Sequence, residues 1–264
     1  MKHLISTLLT LTFVSLSIAG LDQAGRFDDV VAIYHFENAE DSGPRDFDGL
    51  LIENVSIVDN GKIDKCLRLR NDDWFGLLDD HHLAIHCDFS IVAWLKMPSQ
   101  SEDFSLMMTG RNDDRTIEGL VSLSVLSSGN LEGLAADSKD SKSQIIESEN
   151  ENASDNQWHH IAFTKFSDTA FLFLDGEVVK KQRDTRYLGF VGDGTFISIA
   201  PSSTDASLTG SVFIDEVGFF EIGFSVYEIK AIYENGLTDF LEAMPVDPQE
   251  KVATTWGKLK SHKH

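Results

Sequence analysis

Apolar and polar positions alternate along most of this chain in short runs. VVAIYHF (30–36), GLLIENVSIV (49–58), CLRLR (66–70), DFSIVAWLKM (88–97), GLVSLSVL (119–126), QWHHIAFTKF (157–166), TAFLFLDGEVV (169–179), TFISIA (195–200) and SVFIDEVGFF (211–220) are the clearest. A period of two is the signature of a strand with one buried face. The gaps hold DSGPRD, DNGK, SSGN, NASDN, LDGE and GDGT, which supply Gly, Asn, Asp or Pro where the backbone must reverse. Many short strands at this spacing predict an all-β, two-sheet antiparallel sandwich. FSVYEIKAIYENGL (224–237) breaks the pattern. Ser225 and Glu228 form a capping box, Val226, Ile229, Ile232 and Tyr233 share a helical face, and Gly236 stands at a stop. One short amphipathic helix is expected there, covering a sheet edge or one end of the sandwich.

The first residues follow a different rule. Lys2 and His3 precede an uncharged apolar run from Leu4 to Ile18, and Ser17 and Ala19 are small. That is the form of a signal peptide, residues 1–19, with cleavage after Ala19, so the mature chain is expected to be exported, either extracellular or periplasmic. No later segment approaches the 18 or so consecutive apolar residues of a membrane span. A single domain is expected over 27–242, followed by a basic tail, 243–264, carrying Lys251, Lys258, Lys260 and Lys263.

Charge narrows the partners. Forty-three acids against 22 bases leave a formal charge of −21, which repels phosphate backbones and makes nucleic acid an unsuitable partner. Two cysteines, Cys66 and Cys87, permit one disulfide in an oxidising compartment, closing a loop of about 20 residues; two buried thiols are the alternative.

The order of these segments resembles the laminin-G-like, concanavalin A-like jelly-roll family. The resemblance rests on VVAIYHF followed by the Asp-Ser-Gly loop EDSGPRDFDG, then GKIDKCLRLRNDDWFGL, FSIVAWLKM, WHHIAFTKF, LFLDGEVV, FIDEVGFF and the helix. It implies a jelly roll, and a secreted module that recognises carbohydrate or protein, often with a structural calcium. For calcium the matching residues are Asp41 of the Asp-Ser-Gly loop and Asp215 of FIDEVGFF, with backbone carbonyls completing the shell.

Regular alternation in SVFIDEVGFF places Asp215 on one face with Phe213, Val217 and Phe219, and Glu216 on the other with Val212, Ile214 and Phe220. A buried carboxylate there needs a cation, N–H donors or a proton. The same alternation sends His159 and His160 to opposite faces, so they cannot share a metal and read as packed scaffold. A zinc site from Asp79, Asp80, His81, His82, His86 and Cys87 lacks a second Cys/His group.

Catalysis is not expected. Glycan hydrolysis needs two carboxylates about 5–9.5 Å apart. Glu221 shares Asp215's expected face but lies about 20 Å along the strand. No nucleophile elbow, phosphate loop or HExxH motif is present. For ligand binding the loops offer Asp72, Asp73 and Trp74, then Arg111, Asn112, Asp113, Asp114 and Arg115: a planar ring beside polar groups suits a sugar. Trp74 equally fits an aromatic residue that opens a strand and packs inward. The expected task is recognition of an extracellular glycan, with binding to a surface protein as the alternative.

Overall fold

The computed structural model describes residues 29–70, 73–79, 83–85, 88–99, 101–111, 117–137, 142–183, 190–201 and 210–243. Gly25–Val246 is one compact unit. The leader, the basic tail and the cluster from Asp80 to His82 with His86 and Cys87 lie outside the described residues.

In chain order the elements are β1 (Val30–Tyr34), β2 (Leu50–Ile52), β3 (Ser56–Asp59), β4 (Lys65–Leu69), β5 (Trp74–Asp79), β6 (Leu83–Ile85), β7 (Phe89–Lys96), β8 (Phe104–Arg111) and β9 (Ile117–Val125). They continue with β10 (Leu131–Asp137), β11 (Lys142–Glu147), β12 (Trp158–Phe166), β13 (Thr169–Leu174), β14 (Glu177–Arg183), β15 (Phe190–Gly192), β16 (Gly194–Pro201) and β17 (Val212–Phe220). Two helices, α1 (Val226–Asn235) and α2 (Leu237–Ala243), close the described chain.

The strands form the expected antiparallel sandwich. One sheet runs β14-β13-β12-β7-β17-β4-β3 with β1 also paired to β17, and the other runs β11-β10-β9-β8-β16-β5-β2; β15 and β6 make a small separate pair. Alternation explains which side chains meet between the sheets. Ile91, Ala93 and Leu95 of β7, Ile161 and Phe163 of β12, Leu106 and Met108 of β8 and Ile197 and Ile199 of β16 all enter one core. Tyr34 closes it at one end, edge-on to Phe75 at 4.8 Å, with its hydroxyl donating to the Phe47 carbonyl at 2.7 Å. Burying a ring of that size stabilises the fold by roughly 1.5–3 kcal/mol.

Two features depart from the pattern. A second helix, α2, follows Gly236, whose φ of +91° ends α1. The helices cover more than an edge, although α1 reaches the edge strand β14 through Lys230 and Glu177 at 3.0 Å. Ile229, Ile232 and Leu237 pack on the outer face of the larger sheet, over Val92, Ala162, Phe173 and Phe220. The capping box is formed: Ser225 accepts from the Glu228 N–H at 3.4 Å, and Glu228 accepts from the Ser225 N–H at 2.7 Å.

The other departure is a bulge in β17. Register against β7 shifts between Asp215 and Gly218, and Glu216 adopts a φ of +50°. One extra residue reverses the alternation beyond it. Ile214, Val217 and Phe219 therefore all enter the core, and Asp215 is turned to the outer face with Phe213. The expectation that Asp215 shares a face with Val217 and Phe219 is overturned.

Candidate functional site

The two sheets differ in what covers their outer faces. Helices lie on the larger one; the smaller one carries a broad face without a further layer among the described residues. Successive strands place their outward residues in rows. One row runs Trp74, Ala200, Ser105, Ser124, Glu132, Glu147 across β5, β16, β8, β9, β10 and β11. The next holds Leu50, Gly76, Ser198, Met107, Ser122, Leu134 and Ile145, and a third begins Leu78, Phe196, Thr109.

Trp74 lies flat on this face. A Cβ on Gly76 would come within 2.1 Å of its ring, so only glycine lets the indole fold over the strand. Its other side stays half-exposed, and Phe196 lies 6.2 Å away with the planes at 53°. Next to this pair are small hydroxyl side chains, and Ser105 and Ser124 share a hydrogen bond of 2.7 Å. Leu50, Leu78 and Ile145 are exposed around the margin. Glu132 bounds the first row, and its carboxyl is pushed up by burial, then by the charges of Glu147 and Asp103.

Of the described residues named from sequence, Trp74 alone belongs to this surface. Asp73 is buried, its Oδ1 accepting the Asn54 N–H at 3.0 Å and its Oδ2 the Arg70 N–H at 2.9 Å, so it organises a turn. Arg111 is 8 % exposed and sits six residues along β8 from Ser105, about 20 Å from the Trp74 row. Arg111 is thus not beside Trp74. Asp72, Asn112, Asp113, Asp114 and Arg115 lie outside the described residues. Phe196 and Ser198 were missed, although the alternation in TFISIA sets them on one side of the strand.

A family model described as the concanavalin A-like lectin/glucanases superfamily matches residues 70–230. The chain belongs to this superfamily. No curated protein matches it. Among solved structures it is similar to the binding domain of Paraclostridial Mosquitocidal Protein 1, with a TM-score of 0.62 and 17 % identity over 78 % of this chain and 52 % of that one. It is also similar to the botulinum neurotoxin serotype D ligand-binding domain in complex with N-acetylneuraminic acid, with a TM-score of 0.61 and 16 % identity over 80 % and 52 %. A third is the receptor-binding domain of the botulinum neurotoxin C/D mosaic serotype, at 0.60 and 15 % over 79 % and 51 %. The chain thus spans about half the length of these domains, and the likeness is one of fold.

The two carboxylates named for calcium are each held by backbone N–H groups. Asp41 Oδ1 accepts the N–H groups of Ile33 and Gly43, both at 2.7 Å, and Oδ2 accepts that of Phe47 at 3.0 Å. Asp215 Oδ2 accepts the Ile63 N–H and Oδ1 the Glu216 N–H, both at 2.9 Å. These N–H donors already compensate part of the charge of each carboxylate. Among the described residues no three acidic, His or Cys side chains gather into a metal site. Burial, with the Glu216 charge adding to it, pushes the Asp215 carboxyl up to about 7 against the pull of those N–H groups.

Nor do Asp215 and Glu216 resemble the paired carboxylates of a glycan-cleaving member. Both are buried, and Glu216 Oε1 is held by His35 Nδ1 at 2.8 Å. That bond raises the His35 pKa despite its partial burial. Cys66 is a free thiol on the outer face of β4, level with Asp215, so the expected Cys66–Cys87 disulfide is not formed there; burial first, then the Asp215 charge, pushes it up to about 11. The histidines separate as alternation requires. His159 Nδ1 meets Asp175 at 2.8 Å and Nε2 meets Asp155 at 3.1 Å, and the Asp175 bond raises its pKa. His160 faces outward under the helices, packed 5.4 Å from Trp94 and 5.9 Å from Tyr233. Neither of its ring nitrogens has a partner among the described residues.

Proposed function

We propose that this chain is an exported, non-catalytic recognition module that binds carbohydrate on the outer face of the smaller sheet. The observation that carries the reading is Trp74, spread over Gly76 beside Phe196 and the partly exposed hydroxyls of Ser105 and Ser198. Sugars present apolar C–H faces and equatorial hydroxyls, and a flat aromatic ring flanked by small hydrogen-bonding groups complements both. Superfamily membership supports the ligand class, as does the saccharide named in the complex of the botulinum serotype D domain. Export is supported by the leader-like residues 1–19.

Binding of the full chain to an array of neutral glycans tests this, with Trp74→Ala in parallel. Saturable binding lost in Trp74→Ala, whose folding is checked by circular dichroism, is the expected result. An empty array, or binding indifferent to Trp74, overturns it. The exposed Leu50, Leu78 and Ile145 favour one other reading, a protein partner on the same face. Co-purification of a fixed partner that free sugars do not displace, and that Leu50→Lys and Leu78→Lys abolish, distinguishes it.

A further inference from the structure

The outer face of the larger sheet continues past the helices. There the row adjoining His160 runs Trp158, Lys96, Phe213, Arg68 across β12, β7, β17 and β4. Aromatic and cationic side chains alternate, and all four are half-exposed. Neighbouring strands lie about 4.8 Å apart, so the row is about 14 Å long with its two cations about 10 Å apart. Lys62 flanks it on one side, its Nζ 3.8 Å above the Trp94 ring, and Arg70 on the other, bonded through Nε to Ser211 at 3.0 Å.

The charge at this place is unusual for the molecule. The chain carries −21, and five cations elsewhere are matched by acids, Arg45 with Glu221, Lys65 with Glu37, Lys180 with Glu149, Arg183 with Asp168 and Lys230 with Glu177, while Lys165 is capped by the Ser167 carbonyl and Lys181 stands by itself on β14. Lys62, Lys96, Arg68 and Arg70 have no carboxylate in ion-pair range among the described residues. Arg68 Nη2 donates to Ser56 at 2.8 Å, while its buried Nε has no partner among the described residues. Four cations left unmatched on one face of so acidic a chain make a local positive field beside two half-exposed rings.

We propose that this row is a second ligand site, and that it takes an acidic saccharide. A sugar ring stacks on Trp158 or Phe213 and its carboxylate or sulfate lies between Lys96 and Arg68. A long polyanion is disfavoured by the acidity of the rest of the surface, whereas a single anionic residue meets only the local field. An extended peptide is disfavoured by topology. β12, β7, β17 and β4 are each paired on both sides, leaving no edge for strand addition. The site stands apart from the Trp74 surface, which belongs to the other sheet, and each can fail without the other.

Calorimetric titration of the full chain with sialyllactose, lactose sulfate and unmodified lactose tests it. At least one acidic sugar is expected to bind tenfold or more tightly than lactose at this site, more weakly as salt rises from 50 to 200 mM. Lys96→Gln with Arg68→Gln should lose that tenfold advantage, and Trp74→Ala should keep it. Should Arg68→Gln disturb folding, Lys96→Gln alone, on a side chain without hydrogen bonds among the described residues, is expected to lose severalfold. Equal binding of lactose and its acidic derivatives overturns the proposal, as does indifference to the Lys96 and Arg68 changes. Displacement by a hexaglutamate peptide at the same concentration as the sugar also overturns it in favour of a peptide site.

Discussion

His160 and Asp215 lie in one cross-strand row, each directly opposite Trp94, and burial displaces their proton affinities in opposite directions. His160 is lowered to about 4 by burial, with the Lys62 charge adding and Asp175 opposing; Asp215 is raised to about 7 by burial and the Glu216 charge. Of the other charged groups on the packed elements, Glu177 pairs with Lys230 and Asp175 with His159, while Lys62 lies over the Trp94 ring and Lys96 stands two residues further along β7.

These displacements predict compensating pH effects. Between about pH 4 and 7 folded Asp215 keeps a proton that an unfolded aspartate releases, so its contribution to stability falls as pH rises. Between about pH 4 and 6.5 folded His160 refuses a proton that an unfolded histidine accepts, so its contribution is lost as pH falls. Each is on the order of 3–4 kcal/mol across its window, and the two largely cancel. Urea unfolding at pH 4.5, 5.5 and 6.5 should show a shallow dependence for the native chain. Asp215→Asn should become more stable with rising pH, and His160→Phe less stable. Parallel curves for all three proteins contradict the assignment.

Asp73 separates structural from ligand roles. Replacing it by Ala leaves the N–H groups of Asn54 and Arg70 without their acceptor in a buried turn, which costs about 1–3 kcal/mol. Its denaturant midpoint should drop accordingly while sugar affinity stays that of the native chain. A loss of affinity in a fully folded Asp73→Ala protein would move Asp73 into the binding surface.

The helical layer is held at Tyr233. Its ring stacks on Trp94 at 5.6 Å and lies over Gly176, whose φ is +79° and where a Cβ would come within 2.8 Å of the ring. Gly176→Ala strains the backbone and lifts the ring together, so a loss of roughly 1–3 kcal/mol is expected. Thermal unfolding followed by tryptophan emission reads both, and an unchanged midpoint would show that the layer is not locked there.

Chelation offers a direct check on the carboxylates. Both oxygens of Asp41 and of Asp215 are already hydrogen-bonded to backbone N–H groups. Stabilisation by a bound ion grows with its free concentration. Added calcium at millimolar concentration and its removal by chelator should therefore leave Tm within about 1 °C. A calcium-dependent rise of several degrees would require these turns to rearrange.

How far the sequence reached depended on what alternation encodes. It names the faces of β7, β12 and β16 because each is regular, and the spacing of the turns was enough for the sandwich, while the jelly roll rested on the family resemblance. It misplaced Asp215 relative to Val217 because a bulge adds one residue without any mark in composition, and Glu216 at a φ of +50° is not a glycine that would have announced it. The seven residues of α2 are too few for a helical period to stand out. The proposed surface was half legible. Trp74 was visible as a ring among polar neighbours, but Phe196 and Ser198 joined it only through the pairing of β16 with β5, a contact between strands more than a hundred residues apart. Alternation tells two faces apart; topology decides which one stays uncovered.

Gly76 gives the most stringent test of that surface because it touches no ligand in the proposed complex. Its missing side chain is what lets Trp74 lie flat, and the requirement is steric: a methyl group there would meet the indole at 2.1 Å and the Ile197 carbonyl at 3.0 Å. Gly76→Ala should tip the ring off the sheet, turning its edge to the position where a sugar face would rest. Neutral-glycan affinity should then fall tenfold or more, close to the loss in Trp74→Ala, while the indole becomes more solvent-exposed and its emission shifts to the red. Since β5 keeps its pairing with β16 and β2, the protein should remain folded. If emission shifts and affinity does not, the stacking surface is Phe196 alone, and Phe196→Ala should then abolish binding.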